Sequence, residues 1–113
     1  MKTIKLRKIN ENGRLTEIKI KGVEYQVYFS LYENWNYRTE NKINGKTLKT
    51  PVYECVVQNG LFFASSYEEN GIGHSDLQLN EKIKNLNLEY SEKNILKVIN
   101  LISDTKFNNI EII

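Results

Sequence analysis

Cysteine, proline and histidine are almost missing from this chain of 113 residues, which holds one of each. A lone cysteine, Cys55, cannot form an internal disulfide, so it favours a reducing compartment and a cytoplasmic location. The single proline, Pro51, excludes a long polyproline linker. The single histidine, His74, has no companion at ligand spacing, so we expect no metal site. We expect no cofactor either.

Long apolar runs are missing as well. No stretch approaches the length of a membrane helix, and the charged N-terminal segment has no apolar run behind it. The sequence therefore predicts neither a membrane span nor a signal peptide. The length suits one hydrophobic core, which predicts a single domain over residues 1–113. The abundance of Lys, Asn, Ile and Glu is typical of an AT-rich genome, bacterial or phage.

Asparagine–glycine pairs are what the chain has in excess. Both residue types tolerate a positive φ, which tight turns between twisted strands require, so each pair is a strong hairpin signal. Together they predict an antiparallel β-meander. The pairs are Asn12-Gly13, Asn44-Gly45, Asn59-Gly60 and Asn70-Gly71.

Three strands are predicted in the first third of the chain, at roughly 2–9, 14–21 and 23–32. Apolar residues alternate with polar ones along each of them. This pattern is typical of an antiparallel sheet with one buried face and one solvated face. Tyr28 falls on the solvated face in this interpretation.

The two turns between these strands fix the predicted register. A three-residue loop after the first strand pairs Arg7 with Glu17 and places Gly13 in the left-handed conformation. A two-residue turn at Lys21-Gly22 pairs Ile20 with Val23 and keeps both faces consistent.

A fourth strand at roughly 35–39 is predicted with its register left open. If the preceding turn has two residues, Trp35 and Tyr37 join Tyr32 on the solvated face. If it has three, they enter the core opposite residues such as Phe29. The polar residues that follow, to position 50, indicate a loop.

Two further strands, at roughly 52–58 and 61–67, are joined by a two-residue turn at Asn59-Gly60. Both of their faces are apolar near the turn, so both faces must be covered. The last apolar residues, within 107–113, suggest a short final strand or a tail packed on the core.

Helices are predicted at roughly 76–86 and 92–104, with Ser75 and Ser91 as their N-caps. The second has a clear apolar stripe. The expected fold class is therefore α+β: an antiparallel β-meander of about five to seven strands with the C-terminal helix packed on one face.

Catalytic patterns are weak. A Cys55–His74 nucleophilic pair is formally possible, but a cysteine among apolar strand residues is usually a small buried hydrophobe. The segment 71–75 has the outline of an anion-binding loop before a helix, yet it lacks a dinucleotide or P-loop pattern and follows two glutamates. We therefore expect a protein that is not an enzyme.

Charge is distributed unevenly. Residues 1–50 carry a net charge of +6 and residues 51–113 a net charge of −4, within an overall +2. This asymmetry could orient a charged partner, or the two halves could neutralise each other within the fold.

The best candidate for a binding surface combines aromatic and basic residues. Such residues are favoured at protein interfaces, and they also stack on bases and follow the phosphates of single-stranded nucleic acid. The same aromatic residues could instead belong to the core. The candidate partner-binding residues are Tyr28, Tyr32, Trp35, Tyr37, Arg38, Lys42, Lys46 and Lys49.

The outline of a curved antiparallel sheet followed by helices resembles two groups of small proteins. One comprises bacterial immunity proteins and phage-encoded inhibitors, and the other comprises single-strand binders of the Whirly type. No residues are matched, so no functional positions follow from either resemblance. The first implies a non-enzymatic inhibitor that occludes a partner protein, such as a toxin or effector, without membrane binding and with a homodimer possible. The alternative is a single-stranded nucleic-acid-binding protein.

Overall fold

The computed structural model describes residues 2–31, 52–69 and 72–113, with 64–69 and 72–74 described as backbone only. In this part of the chain, seven strands form one sheet and two helices follow the sixth strand. The elements are β1 (Thr3–Asn10), β2 (Gly13–Ile20), β3 (Val23–Ser30), β4 (Val52–Gln58), β5 (Leu61–Glu69), β6 (Ile72–His74), α1 (Leu77–Asn85), α2 (Glu92–Ile102) and β7 (Asn109–Ile112).

The sheet has the strand order β6-β5-β4-β3-β2-β1-β7 and is mixed. The α+β class is confirmed, but a purely antiparallel meander is wrong because two strand pairs are parallel: β3 with β4, and β1 with β7. Parallel neighbours need a long connection, and each of these pairs is separated by a long stretch of chain. The predicted strand at 35–39 lies outside the described residues.

Two of the predicted hairpins are confirmed. Lys21 and Gly22 have φ values of 51° and 80°, and Ile20 pairs with Val23. Asn59 and Gly60 have φ values of 55° and 78° and join β4 to β5. Positive φ at both central residues matches the right-handed twist of the flanking strands.

The predicted register of the first hairpin is wrong. Arg7 pairs with Leu15 rather than with Glu17, Asn10 pairs with Gly13, and the register shifts between Lys8 and Asn10. The loop is therefore Glu11-Asn12, one residue shorter than predicted, and the bulge in β1 shifts the pairing by one further residue. The pairing differs from the prediction by two residues, so the apolar side chains keep their face.

Gly13 begins β2 rather than occupying a left-handed turn position. A Cβ atom there would lie 2.7 Å from the Tyr28 hydroxyl oxygen and 2.8 Å from its ring. The glycine is therefore required because an aromatic ring packs against the backbone, a tertiary contact that the turn pattern does not contain.

Both helices pack on the same face of the sheet. Leu79 and Ile83 of α1, with Ile95 and Ile99 of α2, join one cluster of buried side chains from β1 to β5. The predicted helices are confirmed with slightly shorter bounds, and apolar spacing explains which side of each helix is buried.

The first helix begins at a different cap from the one predicted. Asp76, not Ser75, is the N-cap of α1, and its carboxylate accepts a hydrogen bond of 3.0 Å from the Leu79 N–H. Ser91 is the N-cap of α2, as predicted, although its hydroxyl makes no capping hydrogen bond.

The opposite face of the sheet carries a smaller buried cluster of Leu15, Tyr28 and Val52, with Ile9 partly buried against it. Tyr28 has no exposed surface. The expectation that this residue faces solvent is therefore wrong, because β3 is a central strand and this part of its second face is covered as well. Neither α1 nor α2 is long and apolar enough to span a membrane, and this holds for the whole described part of the chain.

Candidate functional site

The predicted aromatic and basic surface is represented in the described residues by Tyr28 alone. Its full burial beside Leu15 and Val52 places it in the fold rather than on a surface. The other predicted members stay a prediction because they lie outside the described residues: Tyr32, Trp35, Tyr37, Arg38, Lys42, Lys46 and Lys49.

Cys55 lies in β4 with no exposed surface. Burial raises the pKa of its thiol far above the ordinary value, and the nearby charge of Glu54 raises it further. The thiol therefore stays protonated and inaccessible, which is the opposite of what a nucleophile needs. His74 belongs to β6, and β5 separates that strand from β4.

Ion pairs among the described residues join the basic half of the chain to the acidic half. Arg14 is buried and contacts Glu92 at the start of α2, while exposed Lys21 lies 3.5 Å from Asp76 at the start of α1. Some basic residues of the first half therefore pair with acidic residues of the second half within the fold. This agrees with the interpretation that the two halves neutralise each other.

The Arg14 guanidinium also binds the backbone of the first turn. Its Nη1 donates to the carbonyl oxygens of Asn10 and Gly13 at 2.9 and 3.0 Å, and its Nε donates to Glu92 at 3.0 Å. One buried cation therefore fastens the turn between β1 and β2 to the N-terminus of α2. The guanidinium is therefore used by the fold and is not available to a partner, whereas the Glu92 side chain keeps 39% of its surface exposed.

The exposed apolar residues at the end of β7 are a better candidate for contact with a partner. Ile112 is 40% exposed and Ile113 is 60% exposed, while Ile110 packs partly against the core. The sequence left a short final strand or a tail packed on the core open here, and it did not indicate that the segment forms the edge of the sheet. That position depends on the parallel pairing with β1.

Hydrogen bonding orients the backbone of this edge. The Ile113 N–H donates to the Leu6 carbonyl at 2.9 Å, and the Ile113 carbonyl accepts from the Lys8 N–H at 3.1 Å. Because hydrogen bonding alternates along a strand, Ile110 and Ile112 direct their N–H and C=O groups away from β1. Within the described residues β7 pairs with β1 alone, so this side of β7 has no strand beside it.

Basic side chains border the same edge. Lys2, Lys5, Arg7 and Lys8 are all exposed along β1 and the residue before it. A hollow of about 310 Å³ is lined by Lys5, Arg7 and Ile113, with Leu15 and Glu17 of β2 also in its lining. On β7 the exposed carboxylate is Glu111, which lies opposite Lys5 in the parallel register.

We call this surface the β7 edge: Ile110, Ile112 and Ile113 together with Lys5 and Arg7. Among the side chains that the structure describes, three other large apolar residues are exposed, but none is on an edge strand: Val23 begins β3, Leu77 begins α1, and Tyr90 precedes α2. The alternation of isoleucine with Glu111 in the sequence is the signal that could have drawn attention to the edge.

No group of three or more histidine, cysteine or acidic residues within the described ranges could hold a metal ion. Comparison with known protein families finds no family model that matches this chain, and comparison with curated proteins and with solved structures finds no match either.

Proposed function

We propose that this chain is a non-enzymatic cytoplasmic binding protein that inhibits or neutralises a partner protein by occlusion, in the manner of a bacterial immunity protein or a phage-encoded inhibitor. The observation that carries the proposal is the β7 edge, where Ile112 and Ile113 are exposed beside basic residues of β1, on the side of β7 with which no other described strand pairs.

Exposed apolar groups at a strand edge are unfavourable for an isolated soluble protein. Such edges are normally protected by proline, lysine or a covering segment, because an open edge pairs with other chains. The four residues of β7, Asn-Ile-Glu-Ile, include neither proline nor lysine. A partner that covers Ile112 and Ile113 would remove apolar surface from water, at about 1.5–3 kcal/mol for each side chain fully buried.

The predicted aromatic and basic residues from Tyr32 to Lys49 remain part of this proposal as a second contact surface. Tyr28 is not included, because it is buried. The basic border of β1 would speed association with an acidic partner, and the apolar contact would hold the complex once formed.

The test is inhibition of an identified partner. The tagged chain is used to isolate candidate partners from the bacterial host, and each candidate is purified and assayed for its own activity. We expect one partner to lose activity in proportion to the added chain, with an endpoint near one to one. If every protein that binds keeps its full activity with excess chain present, the proposal of an inhibitor is wrong.

Single-stranded nucleic-acid binding is not proposed as a second function. The basic border is compatible with it, but the burial of Tyr28 removes one of its expected stacking groups. An oligonucleotide titration is the appropriate control. Tight binding at low salt that weakens steeply as salt increases, and that Trp35→Ala reduces, would favour this alternative over an inhibitor.

A further inference from the structure

We propose that the β7 edge adds a strand from the partner: an extended segment that alternates apolar and acidic residues. This inference names the mode of recognition and the chemistry of the partner, and it rests on the proposed function above. Three features of the edge support it.

The first feature is the side of the β7 backbone with which no strand pairs in the part of the chain that the structure describes. Ile110 and Ile112 point their N–H and C=O groups away from β1, as the bonds of Ile113 to Leu6 and Lys8 require. An extended segment placed there would continue the ladder, which is how edge-strand recognition obtains most of its affinity.

The second feature is the alternation of side chains along β7. Ile110 and Ile112 lie on the face that the helices cover, whereas Glu111 and Ile113 lie on the other face. A strand beside them meets apolar groups on the first face at alternate positions. The incoming segment should therefore carry apolar residues at every second position.

The third feature is charge. Lys2, Lys5, Arg7 and Lys8 border the edge, and Glu111 lies opposite Lys5. Glu17 of β2 also lines the hollow with Lys5 and Arg7, and together with Glu111 it offsets part of this positive charge. The surroundings of the edge are therefore cationic, which favours acidic residues in the added segment.

The same charge argues against a second copy of this chain as the occupant. Pairing of two β7 edges would bring two copies of Lys5, Arg7 and Lys8 toward one another, and like charges across an interface oppose association. A heterologous acidic segment avoids this repulsion.

The proposal can be tested with synthetic peptides. The probe is a short peptide of alternating valine and glutamate, and the matched control is the same peptide with lysine in place of glutamate. We expect the acidic peptide to bind at least about tenfold more tightly than the basic one, measured by fluorescence anisotropy.

Amide hydrogen exchange locates the bound peptide without any substitution. The Ile113 amide is already bonded to Leu6, so its exchange should change little. The amides of Ile110 and Ile112 should exchange quickly in the free protein and slowly when the acidic peptide is bound. If the acidic peptide fails to bind, or binds and leaves these two amides unprotected, strand addition at β7 is wrong.

A proline substitution gives a second test. Ile112→Pro removes an N–H that points away from β1, so it blocks the edge while keeping the hydrogen bonds to β1. Ile112→Val is the matched control because it retains the N–H. We expect the proline variant to bind the acidic peptide at least about tenfold more weakly and the valine variant to bind within about twofold of the wild type. Thermal unfolding verifies that both variants are folded.

The outcomes separate this inference from the proposed function. If an identified partner is inhibited equally by the wild type and by Ile112→Pro, strand addition is wrong and the inhibitory function stands. If the acidic peptide protects Ile110 and Ile112 but no partner is inhibited, the inhibitory function is wrong. If the chain self-associates through an interface that Ile112→Pro abolishes, the occupant is a second copy and the acidic segment is wrong.

Discussion

Arg14 is a buried cation that holds the first turn and the start of α2 together. It is 4% exposed, and its guanidinium serves both the carbonyl groups of the first turn and the carboxylate of Glu92. Replacement by an apolar residue would leave buried carbonyl groups without donors, and such unsatisfied groups are costly.

We expect Arg14→Met to lower the free energy of unfolding by about 2–4 kcal/mol, measured by urea denaturation. Lys21→Gln is the control, since the exposed pair of Lys21 with Asp76 should contribute less than about 1 kcal/mol. Equal losses in the two variants would contradict the structural role of Arg14.

Substitution of Gly13 tests whether the Tyr28 ring packs closely against the backbone of β2. A Cβ at this position meets the tyrosine hydroxyl oxygen at 2.7 Å, so Gly13→Ala should destabilise the protein by about 1–3 kcal/mol. Combining it with Tyr28→Ala removes both the hydroxyl oxygen and the ring carbon at 2.8 Å, so the double variant should lose less than the two single losses together. Strict additivity in chemical denaturation would show that the two residues are not in contact.

Ionisation of the buried Cys55 thiol makes the stability of the fold depend on pH. Burial raises the pKa of its thiol in the folded protein above the value of 9.0 of an unperturbed thiol, so ionisation favours the unfolded state. The contribution of this thiol to stability is complete below pH 9 and is lost as pH rises beyond it, by up to about 1.4 kcal/mol per pH unit. Denaturation of the wild type and Cys55→Ala from pH 8 to 10.5 should show a steeper decline in the wild type. Parallel curves would contradict the effect.

At the scale of the element, two neighbouring residues, Ser75 and Asp76, are candidates for the N-cap of α1. Asp76 accepts a hydrogen bond from the Leu79 N–H, whereas Ser75 is exposed before it. The first turn of α1 carries no acidic residue of its own, so the Asp76 carboxylate also supplies the negative charge that favours a helix N-terminus.

We expect Asp76→Ala to lower the free energy of unfolding by about 0.5–2 kcal/mol, because it leaves the Leu79 N–H without its side-chain acceptor. Ser75→Ala should change it by less than about 0.5 kcal/mol. Thermal or urea denaturation compares the stability of the two variants. A larger loss for Ser75→Ala would show that Ser75 is the N-cap, as the capping-box pattern predicted.

At the scale of the whole molecule, the helices cover one face of the sheet and leave the border of β1 and β7 open. Charge on this border is therefore available to a partner, whereas Arg14 is already occupied by Glu92. The net charge of each half of the sequence does not show which charged residues are paired within the fold and which are exposed to a partner.

We expect removal of the available charge to slow association with the identified partner. The double variant Lys5→Gln/Arg7→Gln should lower the association rate by about tenfold or more at low salt, with a smaller effect at high salt. Lys93→Gln/Lys97→Gln is the control, because it makes the same change in net charge on exposed positions of α2. Stopped-flow measurements would contradict steering by β1 if both pairs slowed association equally.

The sequence by itself determined the features that depend on neighbours along the chain. Two tight turns, at Lys21-Gly22 and Asn59-Gly60, were predictable because a positive φ is a property of a few residues. The helices at Leu77–Asn85 and Glu92–Ile102 were predictable because apolar spacing repeats with the helical period.

Tertiary structure decided the rest. The parallel pairs β3–β4 and β1–β7, the burial of Tyr28 and the exposure of Ile112 depend on which distant segments meet, and local alternation is compatible with several strand orders. Gly13 illustrates both contributions. The sequence pattern indicated a turn at this glycine, but a side chain is excluded there because Tyr28 of the neighbouring strand packs against the backbone. The β7 edge has the same origin, because only the pairing of the two ends of the chain makes that strand the border of the sheet.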